Sequence, residues 1–139
     1  MVEGLSINLA TVRAQWDMAA AIEGCLRHGI GAIAPAASAA LSALGRGGKN
    51  EFFDILEPTV PLSRHVFRAP TRFYKTGVVF LAYLNGLQDH FAMIGGQQST
   101  RSLQHLSQLF RLADKARVLA DPTLAVDRMK RVLAVNGIA

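Results

Sequence analysis

The chain has 139 residues, half of them hydrophobic, so it can bury a core and is not a disordered tail. A complete (β/α)8 barrel is excluded, because it needs about 250 residues. Fifteen Lys and Arg against ten Asp and Glu give a net charge of +5, but the cations form no single basic block, so nucleic-acid binding is not favoured.

The N-terminal segment, residues 1–35, is predicted to form a βαβ unit. Apolar and polar residues alternate from Leu5 to Leu9, which is typical of a strand with one buried face. A helix between Asp17 and Gly29 follows, and its apolar stripe consists of Met18, Ala21, Ile22, Cys25 and Leu26. The short apolar run Ile30 to Ala34, stopped by Pro35, indicates a second strand parallel to the first.

The rest of the chain, residues 36–139, is predicted to consist of about five helices. Ala36 to Leu44 favours a helix, and the glycine-rich stretch Gly45 to Gly48 breaks it. A short helix from Asn50 to Leu56 ends at the turn region Pro58 to Pro61. A further turn or helix is expected from Leu62 to Phe67.

Three longer helices complete the prediction. Their boundary signals are Pro70-Thr71 and Asn85-Gly86 for the first, Ser99 or Thr100 at the start of the second, and Asp121-Pro122 and Asn136-Gly137 for the third. The side chains expected in the core are Phe80, Leu81, Leu106, Phe110, Met129 and Leu133, together with Met18, Ile22 and Leu26. Arg101 is expected on the outward face of the second of these helices. Since no third strand is indicated after residue 35, the fold class is mainly α, an incomplete (β/α)8 barrel and not a full one.

A first set of motifs lies in the N-terminal segment. It comprises Leu5-Ser6-Ile7-Asn8-Leu9-Ala10-Thr11-Val12-Arg13, then Gln15-Trp16, His28-Gly29-Ile30 and Ala34-Pro35. These residues resemble the opening of sugar phosphate isomerase/epimerases of the xylose-isomerase-like barrel type. The metal ligands of that family come from later strands and find no matching positions here, so the resemblance implies no metal site.

A second set of motifs lies further along the chain. It comprises Pro58-Thr59-Val60-Pro61-Leu62-Ser63-Arg64-His65, then Pro70-Thr71-Arg72-Phe73-Tyr74-Lys75-Thr76-Gly77, and Gly95-Gly96-Gln97-Gln98-Ser99. From about residue 35 onward, the chain resembles the C-terminal part of an uncharacterised dihydrodipicolinate-synthase-like family. Its relatives are class I aldolases, carbon-carbon lyases in which a lysine on an inner strand forms a Schiff base with a keto acid.

The two resemblances imply a polypeptide without the strands that carry the aldolase lysine and tyrosine. We therefore expect an incomplete aldolase-superfamily protein that does not catalyse a reaction alone, and we assign no catalytic residue and no cofactor. Two alternatives stay open, a metal-dependent sugar phosphate isomerase and a non-enzymatic helical module that forms homo-oligomers. A small-molecule substrate is expected only if further strands complete a pocket.

Individual polar residues give few candidates for a site. Asn8 lies near the end of the first predicted strand, where barrel enzymes place ligand contacts, so it is a candidate substrate contact. Lys75 is a second one, because a desolvated lysine attacks carbonyls, although a predicted helix favours a buried stem and an ammonium in water. The four histidines lack metal-ligand spacing. Gly95-Gly96 is interpreted as a plain turn, and Pro70 interrupts the series Arg64, Arg68 and Arg72.

The sequence also bears on compartment. The apolar run Gly77 to Leu84 is well short of the roughly 20 residues that span a bilayer, so no membrane partner is expected. Met1 to Gly4 lacks the basic segment of a signal peptide. The single cysteine, Cys25, cannot form an intrachain disulfide. A cytoplasmic protein is therefore predicted.

Overall fold

The computed structural model describes residues 34–138, and within them the fold is helical, without strands. The six α-helices of this part are α1 (Ala34–Gly45), α2 (Lys49–Leu56), α3 (Thr59–Val66), α4 (Tyr74–Leu84), α5 (Leu103–Lys115) and α6 (Pro122–Val135). Two 3-10 segments, Thr71–Phe73 and Ile94–Thr100, precede α4 and α5. The mainly helical prediction is confirmed here. Of the predicted βαβ unit, residues 1–33 lie outside the described residues, while Ala34 and Pro35 begin α1, so their assignment to the end of a strand is wrong. A proline is tolerated there because the first N–H groups of a helix have no intrahelical acceptor.

The starts of α5 and α6 show how local chemistry sets the helix boundaries. Asp121 caps α6 as predicted, since its carboxylate accepts a hydrogen bond from the backbone N–H of Leu124 at 3.0 Å. The cap of α5 is Ser102, whose hydroxyl accepts from the N–H of His105 at 3.2 Å. The expected start at Ser99 or Thr100 is therefore wrong, because both residues belong to the preceding 3-10 segment.

The segment Pro58 to Pro61 differs from the predicted turn. Thr59 begins α3, and Pro61 lies in the first turn of that helix. A proline is tolerated there because the first four N–H groups of a helix have no intrahelical acceptor. The hydroxyl of Thr59 donates to the carbonyl of Leu56 at 2.7 Å and so joins the end of α2 to the start of α3.

Helices α3 to α6 enclose one hydrophobic core. Its buried members are Leu62, Val66, Phe80, Leu81, Tyr83, Leu84, Leu106, Leu109, Ala113, Ala116, Val118, Leu119, Ala125, Met129 and Val132. Four of the expected core residues, Phe80, Leu81, Leu106 and Met129, are among them, which confirms the helical stripes from which they were inferred. Met18, Ile22 and Leu26 lie outside the described residues.

Two expected core residues, Phe110 and Leu133, are only partly buried. In each case the preceding residue, Leu109 or Val132, takes the buried position. Neighbours in a helix point about 100° apart, so only one of each apolar pair faces the centre of the core. The inner stripes of α5 and α6 are thus narrower than the sequence indicated.

The approach of α4 to α5 depends on Gly77. A Cβ atom at this position would lie 3.0 Å from Cδ1 of Leu109 and 3.5 Å from Cγ1 of Val66. The missing side chain therefore allows α4 to pack closely on both α3 and α5. Beyond α4, Gly86 adopts a φ of 76°, which suits a glycine at a helix end.

Helices α1 and α2 form a separate arm. They pack on each other across the Arg46 to Gly48 turn, and Ala40 and Ala43 of α1 are buried. In the described part of the chain, no member of the α3–α6 core comes from either helix. Phe53 of α2 remains 62% exposed. The arm is thus joined to the core mainly through the α2–α3 connection.

Replacing Leu106 with alanine should lower the free energy of unfolding by about 2–5 kcal/mol, because the side chain is buried in the core and its loss leaves a cavity. Chemical denaturation measures the change. Ile94→Ala is the control, since Ile94 is 97% exposed, and its effect should stay within about 0.5 kcal/mol. Equal effects of the two substitutions would contradict the inward position of Leu106.

Candidate functional site

The most distinctive polar group of the described chain is Arg101, which precedes α5. Its guanidinium donates to three successive backbone carbonyls in the α3–α4 connection: Nη2 to Arg68 at 2.6 Å, Nη1 to Ala69 at 3.3 Å and Nη2 to Pro70 at 3.2 Å. Arg101 is only 9% exposed. The expected outward orientation is therefore wrong, since the forked guanidinium satisfies carbonyls that a turn leaves without partners.

Two histidines that are 40 residues apart in sequence meet beside Arg101. The rings of His65 on α3 and His105 on α5 stack, with centroids 4.0 Å apart and planes inclined by 18°. Nε2 of His65 donates to the backbone carbonyl of His105 at 2.9 Å, and since a carbonyl only accepts, this nitrogen carries the proton. Both rings are half-buried. We call Arg68, Arg101, His65 and His105 the Arg–His cluster.

The electrostatics of the Arg–His cluster favour a neutral imidazole. The pKa of His105 is lowered from 6.5 to about 4, first by burial and then by the positive charges of His65, Arg101 and Arg68. Nε2 of His105 and Nε of Arg101 are buried and have no hydrogen-bond partner among the described residues. The cluster thus combines positive potential with two unsatisfied polar atoms.

Elsewhere in the bundle, buried polar side chains hold loops in place. Arg128 of α6 donates to the carbonyls of Tyr83 and Gln88, and its guanidinium lies 4.8 Å from the centre of the Tyr83 ring. Buried Thr76 of α4 donates to the carbonyl of Gln97 at 2.9 Å. These contacts fix the segments before and within the second 3-10 element.

Of the two candidate site residues named from the sequence, the structure describes only Lys75. Asn8 lies outside the described residues, so its role as a substrate contact stays a prediction. Lys75 is exposed in the first turn of α4. Gly95 and Gly96 have a φ of 70° each and open space around them, as expected of a turn.

Arg64, Arg68 and Arg72 do not lie on one helix, as the position of Pro70 in the sequence predicted. Helix α3 ends at Val66, and Arg68 lies in the connection to the next 3-10 segment. The Arg–His cluster itself was missed, because its members are close only in three dimensions. The available signal was the distribution of acids: residues 58–113 contain six Lys and Arg but only one acid, Asp89. That imbalance of +5 equals the net charge of the whole chain.

The Arg–His cluster has the chemistry of an anion-binding site. In the described part of the chain, no group of three or more His, Cys, Asp or Glu is arranged to hold a metal ion. No helix there has the length and apolar character to cross a membrane. Guanidinium and imidazole groups in positive surroundings attract anions.

Comparison with known proteins assigns the family but no activity. The model of a family described as "Protein of unknown function (DUF993)" matches residues 21–138, and the chain belongs to this family. No curated protein matches it. The match begins inside the segment predicted as a βαβ unit, and the division of the chain at residue 35 stays a prediction, as do the two barrel resemblances.

Arg101→Met should lower the free energy of unfolding by about 3 kcal/mol, the upper range for hydrogen bonds to a charged group, because three buried or half-buried carbonyls lose their donor. Arg101→Lys should lower the free energy of unfolding nearly as much as Arg101→Met, because an ammonium lacks the planar fork that bonds to successive carbonyls. Denaturant titration of both variants checks this. Exposed Arg111 is the matched control, and an Arg111→Met effect as large as that of Arg101→Met would contradict the interpretation.

The free energy of unfolding should fall as the pH is lowered from about 6.5 to about 4. In this window the unfolded chain protonates His105 while the folded chain, with its pKa of about 4, resists protonation, so acid favours the unfolded state. His105→Gln should flatten this part of the stability profile. His90→Gln removes an exposed histidine and should leave the slope unchanged; identical profiles for the wild type and His105→Gln would refute the assignment.

Proposed function

We propose that residues 36–139 are the helical, non-catalytic part of a dihydrodipicolinate-synthase-like polypeptide of the class I aldolase type. The motifs at Pro58 to His65, Pro70 to Gly77 and Gly95 to Ser99 support the relationship. The observation that carries the non-catalytic role is the position of Lys75. A Schiff-base lysine works in a desolvated pocket, whereas the side chain of Lys75 is exposed in the first turn of α4.

The polar contacts inside the bundle support the same proposal. Arg128 and Thr76 bond to backbone carbonyls of neighbouring loops, and Asn85 accepts at 2.7 Å from the N–H of Ala120 between α5 and α6. Groups that are engaged in this way position backbone and are not available to move protons on a substrate. The region therefore serves as a scaffold.

Incubation of the chain with pyruvate and borohydride, followed by intact mass measurement, tests this function. We expect no stoichiometric adduct, because Lys75 is exposed and therefore not desolvated. Lys75→Gln and Lys130→Gln are matched variants, since both lysines are exposed on helices. A stoichiometric adduct that persists in Lys130→Gln and disappears in Lys75→Gln would overturn the proposal.

A further inference from the structure

The positive charge of the chain is concentrated in the part of the sequence that contains the Arg–His cluster. Between residues 58 and 113 the only acid is Asp89, whose carboxylate lies 4.0 Å from Arg128. The remaining residues of the chain are balanced in charge. The segment that contains α3, α4 and most of α5 therefore carries an excess of five positive charges, and an excess of this kind attracts anions.

Arg101 lies buried in this region with neutral partners. Its terminal nitrogens donate to carbonyl groups, and its Nε–H has no acceptor in the described part of the chain. A buried cation is costly unless a charge of opposite sign is close. Residues 34–138 place no carboxylate in a salt bridge with this guanidinium. The structure thus has a donor and a charge that an anion would satisfy.

The groups around Arg101 also favour the binding of an anion. Nε2 of His105 is a second buried polar atom without a partner, and the exposed side chain of Arg68 adds a cation at the rim. His105 lies in the first turn of α5, a helix of 13 residues. The partial positive charge at a helix N-terminus adds to the attraction for an anion.

We propose that the Arg–His cluster binds a small oxyanion, the phosphate group of a phosphorylated ligand. Phosphate offers several acceptor oxygens and a double negative charge, which match two guanidinium groups and an imidazole N–H. Arg101 holds the anion from beneath and Arg68 closes the site from the solvent side. The proposal is independent of the non-catalytic scaffold role, because it involves no reaction and does not use Lys75.

The test measures phosphate binding to the full chain. Inorganic phosphate is titrated at constant ionic strength, with sodium chloride and sodium acetate as comparison salts, while thermal unfolding and the NMR signals of the histidine rings are followed. We expect a saturable rise in Tm with phosphate only. We also expect the pKa of His105 to rise on saturation, because the anion offsets the neighbouring positive charges.

Two arginine variants locate the site. Arg68→Ala removes a charge but keeps the backbone carbonyl that Arg101 binds, so the fold is retained while the phosphate affinity falls about tenfold. Arg131→Ala removes an exposed arginine of α6 and should leave the affinity unchanged. An equal response to phosphate, chloride and acetate, unmoved His65 and His105 signals, or identical affinities of both variants would each overturn the proposal.

Discussion

The arrangement of the bundle depends on the contact of one guanidinium with three carbonyl oxygens. Arg101 directly precedes α5, and the carbonyls of residues 68 to 70 belong to the connection between α3 and α4. One side chain therefore fixes the start of α5 against the turn that joins the two preceding helices. With these ends fixed, Gly77 of α4 meets Leu109 of α5 at the close approach that the core requires. The burial of apolar side chains supplies the driving force for folding, and Arg101 sets the relative positions of the helices that bury them.

The same guanidinium also adds to the electrostatic environment of the neighbouring His105. A guanidinium stays charged at any physiological pH, and in the described chain its partners at this place are uncharged. The pKa of His105 is lowered mainly by burial, and the positive charge of Arg101, which is not cancelled locally, lowers it in the same direction. A lysine would give the same charge, but it lacks the rigid fork that spans successive carbonyls. Structure and electrostatics at this corner of the fold come from one residue.

The sequence predicted the parts of the fold that follow from local patterns. The apolar stripes of α4, α5 and α6 have helical spacing, and Asp121 before Pro122 is a strong start signal, so these helices and most of their buried residues were anticipated. Arg101 was placed outward because the helix was expected to begin at Ser99 or Thr100, and helical periodicity then puts Arg101 on the face opposite the apolar stripe. Its burial depends on unpaired carbonyls some thirty residues away, which no periodicity reveals. The stacking of His65 on His105 is equally non-local.

Because the α1–α2 arm is separate from the main core, the arm and the core are expected to open with different free energies. Residues of the arm contribute no side chain to the described α3–α6 core, so opening of the arm exposes little of that apolar surface. Local opening of this kind costs less free energy than global unfolding. Amide protons of α1 and α2 should therefore exchange through local fluctuations, while those of α4 and α5 exchange only when the whole bundle opens. The described chain thus behaves as two cooperative units of unequal stability joined at the α2–α3 turn.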